Sequence, residues 1–303
     1  MANILSINDL SLDEINELLD VADDLKAKRA KGMVVEMLKS KSLAMVFEKS
    51  STRTRLSFEV AMAELGGHAL YLNYHDLQLG RGETVGDTAQ VMSRYVHAIM
   101  ARVNSHKTLQ EMAKYASVPV INGLSDIEHP CQLLADLQTI REYKGKFEGL
   151  KLAWIGDGNN VCNSAILAAA ITGMEINVAC PEGYEPNDDI VQKARDMGGN
   201  VKIVRSPQDA AENADVLYTD VWISMGDDDE REQRMFDLKN YQINEALVDI
   251  AKDDCMVLHC LPAHRGEEIT SEVLTGPYSA ILDEAENRLH AQKALLIKLL
   301  GSK

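Results

Sequence analysis

The sequence predicts an α/β fold of two doubly wound domains, each built around a parallel central sheet. Short apolar runs typical of buried strands alternate with helical segments in both halves of the chain, the pattern of a parallel sheet covered by helices. The segment Lys-Gly-Lys-Phe-Glu-Gly at residues 144–149 interrupts this alternation and marks the predicted domain junction. A length of 303 residues also suits about two domains.

The first half opens with an amphipathic helix over residues 9–28, where apolar residues recur at spacings of three and four. A second helical pattern, over residues 52–65, ends at Gly66-Gly67, a C-cap signal. A long helix over residues 130–143 has proline in its first turn. The predicted strands of this half are residues 42–47, 98–102 and 118–122.

The second half repeats the alternation and closes with an amphipathic helix over residues 285–300. The acidic run at residues 227–230 is predicted to be a solvated loop. The predicted strands are residues 150–155, 176–179, 201–204, 216–219 and 256–259, and the predicted internal helices are residues 163–172 and 190–197.

Composition excludes several classes of protein. A formal net charge of -16 argues against a general nucleic-acid binder, because neutralising phosphates requires clustered lysines and arginines. The five cysteines are odd in number and form no Cys-x-x-Cys pair, which favours a reduced, cytoplasmic protein over a disulfide framework. We expect no signal peptide, and the most apolar stretch, residues 165–174, is shorter than the roughly 20 residues that cross a bilayer.

The segment Ser50-Ser-Thr-Arg-Thr-Arg55 lies between a predicted strand and a predicted helix. A helix N-terminus offers free N–H groups and the positive end of its dipole to an anion. Ser51, Thr52 and Thr54 add hydroxyl donors, and Arg53 adds a planar fork that matches phosphate oxygens. The alternative is plain N-capping with arginines in solvent, but two arginines and four hydroxyls exceed what a cap needs. The pattern favours anion binding.

The segment His129-Pro-Cys-Gln132 stands at the start of the long helix. Both His129 and Gln132 can hydrogen-bond a carbonyl oxygen or an amide. A helix start with an incidental histidine explains the segment equally well, so taken alone it leaves both interpretations open.

The segment from Asp220 to Gly226, Asp-Val-Trp-Ile-Ser-Met-Gly, follows a predicted strand. Ligands of open α/β sheets bind beyond the carboxyl ends of strands, where Asp220 could take a substrate ammonium and Gly226 would let the loop hinge. Without other context, an ordinary strand-to-loop turn is the preferred interpretation.

The segment His259-Cys-Leu-Pro-Ala-His-Arg-Gly266 also follows an apolar strand. Cys255, His259, Cys260 and His264 lie close in sequence and raise the question of a metal. Neighbouring side chains on a strand face apart, and structural zinc sites show tighter paired spacing. We therefore predict no metal site here.

The segment Gly156-Asp-Gly-Asn-Asn-Val161 resembles part of a dinucleotide fingerprint. Val161 replaces its third glycine, and the following strand runs into Cys180-Pro181 where an acidic ribose ligand is expected. The sequence therefore predicts no nicotinamide cofactor.

Together and in this order, the motifs resemble the aspartate/ornithine carbamoyltransferase superfamily over essentially the whole chain. Ser51-Thr-Arg-Thr-Arg55 and His129-Pro-Cys-Gln132 are similar to its carbamoyl phosphate motifs. Asp220-x-x-x-Ser-Met-Gly226 and His259-Cys-Leu-Pro262 are similar to the pair that marks its ornithine branch.

The resemblance implies a fold, an activity and an assembly. Long helices would join a carbamoyl phosphate domain of residues 1–145 to an ornithine domain of residues 146–284, and the C-terminal helix, residues 285–303, would return to the first domain. The implied reaction moves the carbamoyl group of carbamoyl phosphate to the side-chain amine of L-ornithine, giving citrulline and phosphate in arginine biosynthesis. The family also implies a homotrimer or a multiple of trimers, without cofactor or metal.

The resemblance further implies the roles of individual residues. Arg102, His129 and Cys260 would be catalytic. The carbamoyl phosphate ligands would be Ser51, Thr52, Arg53, Thr54, Gln78, Arg102, His129, Gln132, Cys260, Leu261 and Arg288. The ornithine ligands would be Asn160, Asp220, Ser224 and Met225.

Three rival functions stay open at this level. A sibling enzyme would carbamoylate putrescine, N-acetylornithine or another amine, although Asp220 favours an acceptor with a free α-ammonium. A nicotinamide oxidoreductase would use residues 156–161. A non-catalytic protein of the same fold would bind carbamoyl phosphate and form no citrulline.

Overall fold

A computed structural model of the chain describes residues 2–223 and 228–301. Two compact units are present, unit 1 being Met1–Gln138 with Glu286–Lys303, and unit 2 being Thr139–Ala285. Both crossings from one unit to the other fall inside long helices, Pro130–Lys144 and Ile281–Leu300. The predicted fold class, two parallel-sheet domains joined by long helices with a returning C-terminal helix, is therefore confirmed.

Nine strands and twelve α-helices lie within the described residues. The strands are β1 (Ser42–Phe47), β2 (His68–Asn73), β3 (Ala98–Arg102), β4 (Val120–Leu124), β5 (Lys151–Ile155), β6 (Glu175–Ala179), β7 (Asn200–Val204), β8 (Val216–Thr219) and β9 (Met256–His259). The helices are α1 (Leu12–Ala30), α2 (Thr52–Glu64), α3 (Val85–Met92), α4 (His106–Tyr115), α5 (Pro130–Lys144), α6 (Asn160–Thr172), α7 (Asp188–Asp196), α8 (Pro207–Ala211), α9 (Arg231–Leu238), α10 (Glu245–Val248), α11 (Ser271–Leu274) and α12 (Ile281–Leu300).

Unit 1 contains a parallel four-stranded sheet in the order β2-β1-β3-β4. From β1 the chain moves outward to β2, and it then returns to place β3 on the opposite side of β1. The strand order thus reverses between β1 and β3. In open α/β sheets the crevice at such a switch point, beyond the carboxyl ends of the strands, is where ligands bind.

Unit 2 repeats this arrangement with five parallel strands in the order β7-β6-β5-β8-β9. Its reversal falls between β5 and β8. Buried side chains from β5, β8 and β9 join residues such as Trp222 and Ile243 in the core of this unit. The topology therefore predicts one ligand crevice in each unit.

Two helices begin earlier than predicted. Helix α6 begins at Asn160 rather than residue 163, because the Asn159 side chain caps it by accepting hydrogen bonds from the N–H groups of Val161 and Cys162. Helix α12 begins at Ile281 rather than residue 285, and its first turn contains acidic residues that suit the positive end of the helix dipole.

The acidic run at residues 227–230 was predicted to be a loop, and that prediction is wrong for its described part. Asp228–Glu230 forms one turn of 3-10 helix that leads into α9. Residue 227 lies outside the described residues. Within the described ranges, no helix has the length and apolarity needed to span a membrane.

Candidate active site

Three loops of unit 1 follow the carboxyl ends of β1, β3 and β4. Ser51 comes four residues after β1 ends, Arg102 is the last residue of β3, and His129 follows β4 and directly precedes α5. Because β1 and β3 are hydrogen-bonded neighbours at the switch point, these loops lie along the same edge of the sheet. The topology explains why motifs far apart in sequence belong to one site.

Ser51 is the N-cap of α2. Its hydroxyl oxygen accepts a hydrogen bond from the N–H of Thr54 at 3.3 Å, and the hydroxyl donates to the Thr54 Oγ1 at 3.2 Å. Thr52 is exposed and Arg53 is half-buried in the same turn, whereas Thr54 is 1% exposed. Hydroxyls, free N–H groups and a guanidinium therefore converge at the positive end of a helix dipole, a suitable binding site for phosphate.

The two arginines of this motif differ in their partners. The Arg55 Nε donates to Glu59 Oε1 at 3.0 Å, and its guanidinium lies 3.9 Å from the centre of the Tyr71 ring. Arg53 makes no ion pair in the part of the chain that the structure describes. Arg53 is therefore the better candidate for a phosphate ligand.

Helix α12 brings a guanidinium to this motif from the far end of the chain. The Arg288 Nη2 donates to Thr54 Oγ1 at 3.1 Å, and its Nη1 donates to Gln132 Oε1 at 2.6 Å. The Gln132 Nε2 in turn donates to Asp136 Oδ1 at 2.8 Å. All four side chains are nearly or fully buried, and this network joins the β1 loop, α5 and α12 within unit 1.

Arg102 is the last residue of β3 and stays in regular register with Phe47 of β1. The pairing of β3 with β4 changes register between Ala101 and Arg102, because Arg102 pairs with Leu124 and leaves Gly123 of β4 as the extra residue. The carbonyl oxygen of Arg102 accepts the N–H of Glu48 at 2.9 Å, so β1 and β3 remain joined past their ends. The Arg102 side chain is only 8% exposed.

His129 is 4% exposed, and the charges of two arginines act on it. Burial lowers the pKa of His129 well below its ordinary value, and the nearby positive charges of Arg288 and Arg102 lower it further. Its imidazole therefore stays uncharged and serves as a hydrogen-bonding group. Two buried guanidinium groups beside a neutral imidazole can stabilise negative charge on a bound carbonyl oxygen and phosphate.

Gln78 stands apart from this network. It begins a short 3-10 helix, Gln78–Arg81, and is exposed. Its carbonyl oxygen accepts the N–H of Glu83 at 3.1 Å, and among the described residues no hydrogen bond joins its side chain to the other candidate ligands. A role of Gln78 in carbamoyl phosphate binding remains a prediction.

The candidate site of unit 2 centres on Asp220, directly after β8 at the switch point with β5. The Asp220 Oδ2 accepts a hydrogen bond from Asn159 Nδ2 at 2.7 Å, and its Oδ1 accepts from the Cys260 Sγ at 2.9 Å. The same Oδ1 takes the N–H of Val221 at 2.8 Å. Loops after β5, β8 and β9 thus meet at one 8%-exposed carboxylate that suits a substrate ammonium.

The structure describes some of the predicted ornithine ligands of unit 2 but not all of them. Asn160, the predicted ornithine ligand, is half-buried in the first turn of α6. Ser224 and Met225 lie outside the described residues, as does Gly226. Sequence reasoning missed Asn159, whose bond to Asp220 was signalled only by its place in a strand-to-helix loop.

The turn after β9 presents Cys260 and Leu261. The N–H of Leu261 donates to His259 Nδ1 at 2.9 Å, and Leu261 has a positive φ of 58°, a left-handed conformation that is uncommon for a bulky side chain. The peptide bond between Leu261 and Pro262 is cis. The hydrogen bond to His259 and the left-handed backbone of Leu261 define a tight turn that carries both residues.

The expectation that His259 and Cys260 face apart is wrong. One ligand atom from each of them and one from Asp220 lie within 4.8 Å of one another. The reason is that β9 ends at His259, so Cys260 no longer follows the alternation of the strand. Both ring nitrogens of His259 already have partners, Leu261 and Glu268, which disfavours this set as a metal centre.

A second group with metal-binding atoms comprises His264, Glu267 and Glu268, again within 4.8 Å. Arg231 pairs with Glu267 at 2.7 Å, and Glu268 Oε1 accepts the N–H of His264 at 2.6 Å. One oxygen of each carboxylate is engaged in this way, whereas Glu267 Oε2, Glu268 Oε2 and His264 Nδ1 are buried without a hydrogen-bond partner among the described residues; we assign no metal to the group.

The glycines of the partial dinucleotide motif have a structural explanation. A Cβ built on Gly158 would lie 2.2 Å from the backbone nitrogen of Pro186 and 2.5 Å from the carbonyl carbon of Glu185. Gly158 thus permits two backbones to touch in unit 2. The motif requires no dinucleotide to account for it.

Four of the five cysteines are buried. Burial raises the pKa of Cys131 to about 12 and that of Cys180 to about 11, and it raises the pKa values of Cys162 and Cys255 as well. A thiol reacts as its thiolate, so these four are poor nucleophiles. Cys260, which is partly exposed, is the cysteine placed at the candidate site.

Two family models match the chain, and each covers the segment that contains one of the two sheets. Residues 2–142 match the model described as "Aspartate/ornithine carbamoyltransferase, carbamoyl-P binding domain". Residues 148–299 match the model described as "Aspartate/ornithine carbamoyltransferase, Asp/Orn binding domain".

Curated relatives and solved structures are similar over nearly the whole chain. The ornithine carbamoyltransferase of Archaeoglobus fulgidus is 60% identical over 99% of this chain and 98% of its own length. That of Methanosarcina mazei is 61% identical over 98% of this chain and 99% of its own length. The structure of the ornithine carbamoyltransferase from Pyrococcus furiosus has a TM-score of 0.95 at 52% identity, covering 99% of this chain and 97% of that one.

Proposed function

This chain belongs to the aspartate/ornithine carbamoyltransferase family, and from that premise we propose that it carbamoylates L-ornithine. It transfers the carbamoyl group of carbamoyl phosphate to the side-chain amine, giving L-citrulline and phosphate. Relatives named ornithine carbamoyltransferase at 60% and 61% identity over nearly the full length support the acceptor.

The observation that carries the proposal is the chemistry at the two switch points. In unit 1, buried Arg102 and Arg288 lie near a neutral His129 and a capped helix N-terminus, which suits a carbonyl joined to phosphate. In unit 2, Asp220 offers a carboxylate to an ammonium beside Cys260.

The transfer needs no covalent enzyme intermediate. The acceptor nitrogen forms a bond to the carbamoyl carbon, the bond from that carbon to the phosphate oxygen breaks, and the phosphate leaves with the electron pair. Arg102, His129 and Thr54 stabilise the charge that develops on the carbonyl oxygen, and Arg53 and Arg288 stabilise the departing phosphate. Holding both reactants in attack geometry can supply roughly 7–11 kcal/mol of the barrier.

The acceptor must lose a proton before it attacks. A side-chain amine of this type has a pKa of about 10.4 in water, so the bound ammonium first releases one proton. Removing the site from water favours the neutral amine. The second proton of the attacking nitrogen leaves with the phosphate, which balances the reaction.

The proposed substrate ligands are those that the family resemblance implies. Ser51, Thr52, Arg53, Thr54, Gln78, Arg102, His129, Gln132, Arg288, Cys260 and the backbone of Leu261 bind carbamoyl phosphate. Asn160, Asp220, Ser224 and Met225 bind the α-amino and α-carboxyl groups of ornithine. The proposed carbamoyl phosphate domain comprises residues 1–145 with 285–303, and the proposed ornithine domain comprises residues 146–284.

The cellular setting is part of the proposal. We place the protein in the cytoplasm and in arginine biosynthesis, acting as a homotrimer or a multiple of trimers. Five free cysteines suit a reducing compartment. The edge strand β2 carries Leu70 at 40% exposure, and α2, which packs against β2, carries Leu56 at 54%; exposed apolar side chains of this kind suit contact with a second copy.

The deciding experiment mixes purified protein with carbamoyl phosphate and measures carbamoylation of L-ornithine, with putrescine, N-acetylornithine and L-aspartate in parallel. We expect citrulline from L-ornithine and little product from the others. Turnover with a different amine would support carbamoyl phosphate as the donor but would overturn the proposed role of Asp220. Absence of product from folded protein with every amine would refute transferase activity and favour a binding protein.

A further inference from the structure

A buried carboxylate lies behind the turn that presents Cys260. Glu268 is fully buried, as is His259 at 1% exposure. The Glu268 Oε1 accepts the N–H of His264 at 2.6 Å and lies 2.9 Å from His259 Nε2. One carboxylate oxygen thus contacts both ends of the six-residue segment from His259 to His264, which we call the thiol turn.

The hydrogen bonds identify which ring nitrogen of His259 holds the proton. The N–H of Leu261 donates to Nδ1 at 2.9 Å, so Nδ1 must be the acceptor. The proton therefore resides on Nε2 and is donated to Glu268. Through this imidazole, the carboxylate of Glu268 fixes the backbone N–H of Leu261, which it does not itself touch.

The thiol turn needs such support. Leu261 has a φ of 58°, and a left-handed conformation at a non-glycine residue persists only where its surroundings over-determine it. A second buried carboxylate, Glu284, accepts the N–H of His259 at 2.9 Å through Oε2. The two carboxylates and the imidazole hold the residues on either side of Cys260, whose Sγ then lies 2.9 Å from Asp220 Oδ1.

We propose that Glu268 is a positioning residue that acts through His259 to set the thiol turn, so that Cys260 and Leu261 take their places beside Asp220. The proposal rests on the proposed function, because only that function makes Cys260 and Leu261 substrate ligands. Whether the position of Cys260 depends on Glu268 can be measured without any substrate.

The first test measures the labelling rate of Cys260 by a small thiol reagent in the substrate-free protein, read by peptide mass spectrometry. Glu268→Ala frees the turn, and we expect Cys260 labelling to rise about tenfold, the size of losing one hydrogen bond to a charged group. The four buried cysteines stay unlabelled if the variant is folded. Glu272→Ala, an exposed glutamate of the same unit, should leave the rate unchanged.

Two further variants separate positioning from folding. Glu268→Gln retains an oxygen that can accept both hydrogen bonds, so its labelling rate and its kcat/KM for ornithine should stay close to those of the wild type. His259→Asn can still accept the N–H of Leu261 but is too short to reach Glu268, so it should show the faster labelling even if Glu268→Ala does not fold.

The activity assay supplies the second arm. We expect Glu268→Ala and His259→Asn to lower kcat/KM for ornithine per folded molecule, and Glu268→Gln to restore it. Faster labelling in a protein whose wild type forms no citrulline would keep the positioning role and refute the proposed function. Unchanged labelling and unchanged kcat/KM in folded Glu268→Ala, or in His259→Asn should that variant alone fold, would overturn the proposal.

Discussion

Burial shifts the pKa values of His129 and Cys131, two residues apart at the start of α5, in opposite directions, and both shifts favour the uncharged form. Desolvation lowers the pKa of the histidine and raises that of the thiol to about 12. Both groups therefore remain uncharged, because a charged form would be poorly solvated there. The positive charges that lower the pKa of His129 belong to Arg288 and Arg102, and they favour an anionic substrate.

Replacing Arg53 tests whether the half-buried arginine of the first motif binds phosphate. Arg53→Ala removes a charge-assisted hydrogen bond, so we expect the KM for carbamoyl phosphate to rise roughly 10- to 100-fold, measured by initial-rate kinetics. Arg55→Ala is the matched control, since Arg55 is directed to Glu59 and Tyr71. Equal effects of the two substitutions would contradict the assignment.

The depressed pKa of His129 also has a consequence for stability. Below about pH 6.5, the ordinary pKa of the group, the unfolded chain binds a proton that the folded chain does not. Stability contributed by this site is therefore lost as pH falls. We expect the free energy of unfolding to drop between pH 7.5 and pH 5.5 by about 1.4 kcal/mol more in the wild type than in His129→Gln.

Urea denaturation at both pH values measures this difference. His106 and His290 also have lowered pKa values, caused first by burial, and they contribute equally to both proteins. An identical loss of stability in the wild type and the variant would show that His129 is protonated in the folded state.

At the scale of elements, the N-terminus of α2 combines two tasks in one residue. The hydroxyl of Ser51 caps the helix through the N–H of Thr54, and the same end of the helix is the proposed phosphate site. Aspartate caps helices as well as serine does, but its negative charge repels phosphate. The two tasks can therefore be separated by one substitution.

Ser51→Asp should leave the melting temperature within about 2 °C of the wild type, because the cap is retained, yet it should raise the KM for carbamoyl phosphate strongly. Calorimetry and initial-rate kinetics give the two numbers. Ser11→Asp makes the same change at the N-cap of α1 and should affect neither. If Ser51→Asp changed stability but not KM, the phosphate role of this helix end would be wrong.

At the scale of the whole molecule, the rate of the proposed reaction should report the protonation of the acceptor. His129 is already uncharged at neutral pH, so the remaining titration is that of the amine, with a pKa of about 10.4 in water. We expect kcat/KM for ornithine to rise from neutral toward alkaline pH. A flat profile would show that deprotonation of the amine does not limit the rate.

Assembly is the other property of the whole molecule. If the half-exposed strand β2 and Leu56 of α2 form a subunit contact, the protein should sediment as a trimer or a multiple of trimers in analytical ultracentrifugation. Leu56→Asp, which places a charge on that surface, should shift the mass toward the monomer. A wild-type monomer of 33.5 kDa would refute the predicted assembly.

Sequence and structure agree most closely where the signal is local and apolar. Strands β8 and β9 were predicted at their observed bounds, because each is a short, mainly apolar run of the length typical of a buried strand. Strand β2 and helices α3 and α4 were not predicted. Strand β2 has no buried residue and includes His68, Tyr71 and Asn73, so it falls outside the class of buried strands that short apolar runs predict.

The sequence by itself determined the fold class, the family and the residue types at each motif, since these depend on periodicity, turn residues and the order of the motifs. Only the tertiary structure decided which side chains meet. Arg288 reaches Gln132 across 156 positions of sequence, Cys260 reaches Asp220 across 40, and Glu268 supports His259 from behind. Such contacts are set by the order of strands in a sheet and by the helices that return to it, and no local pattern encodes them.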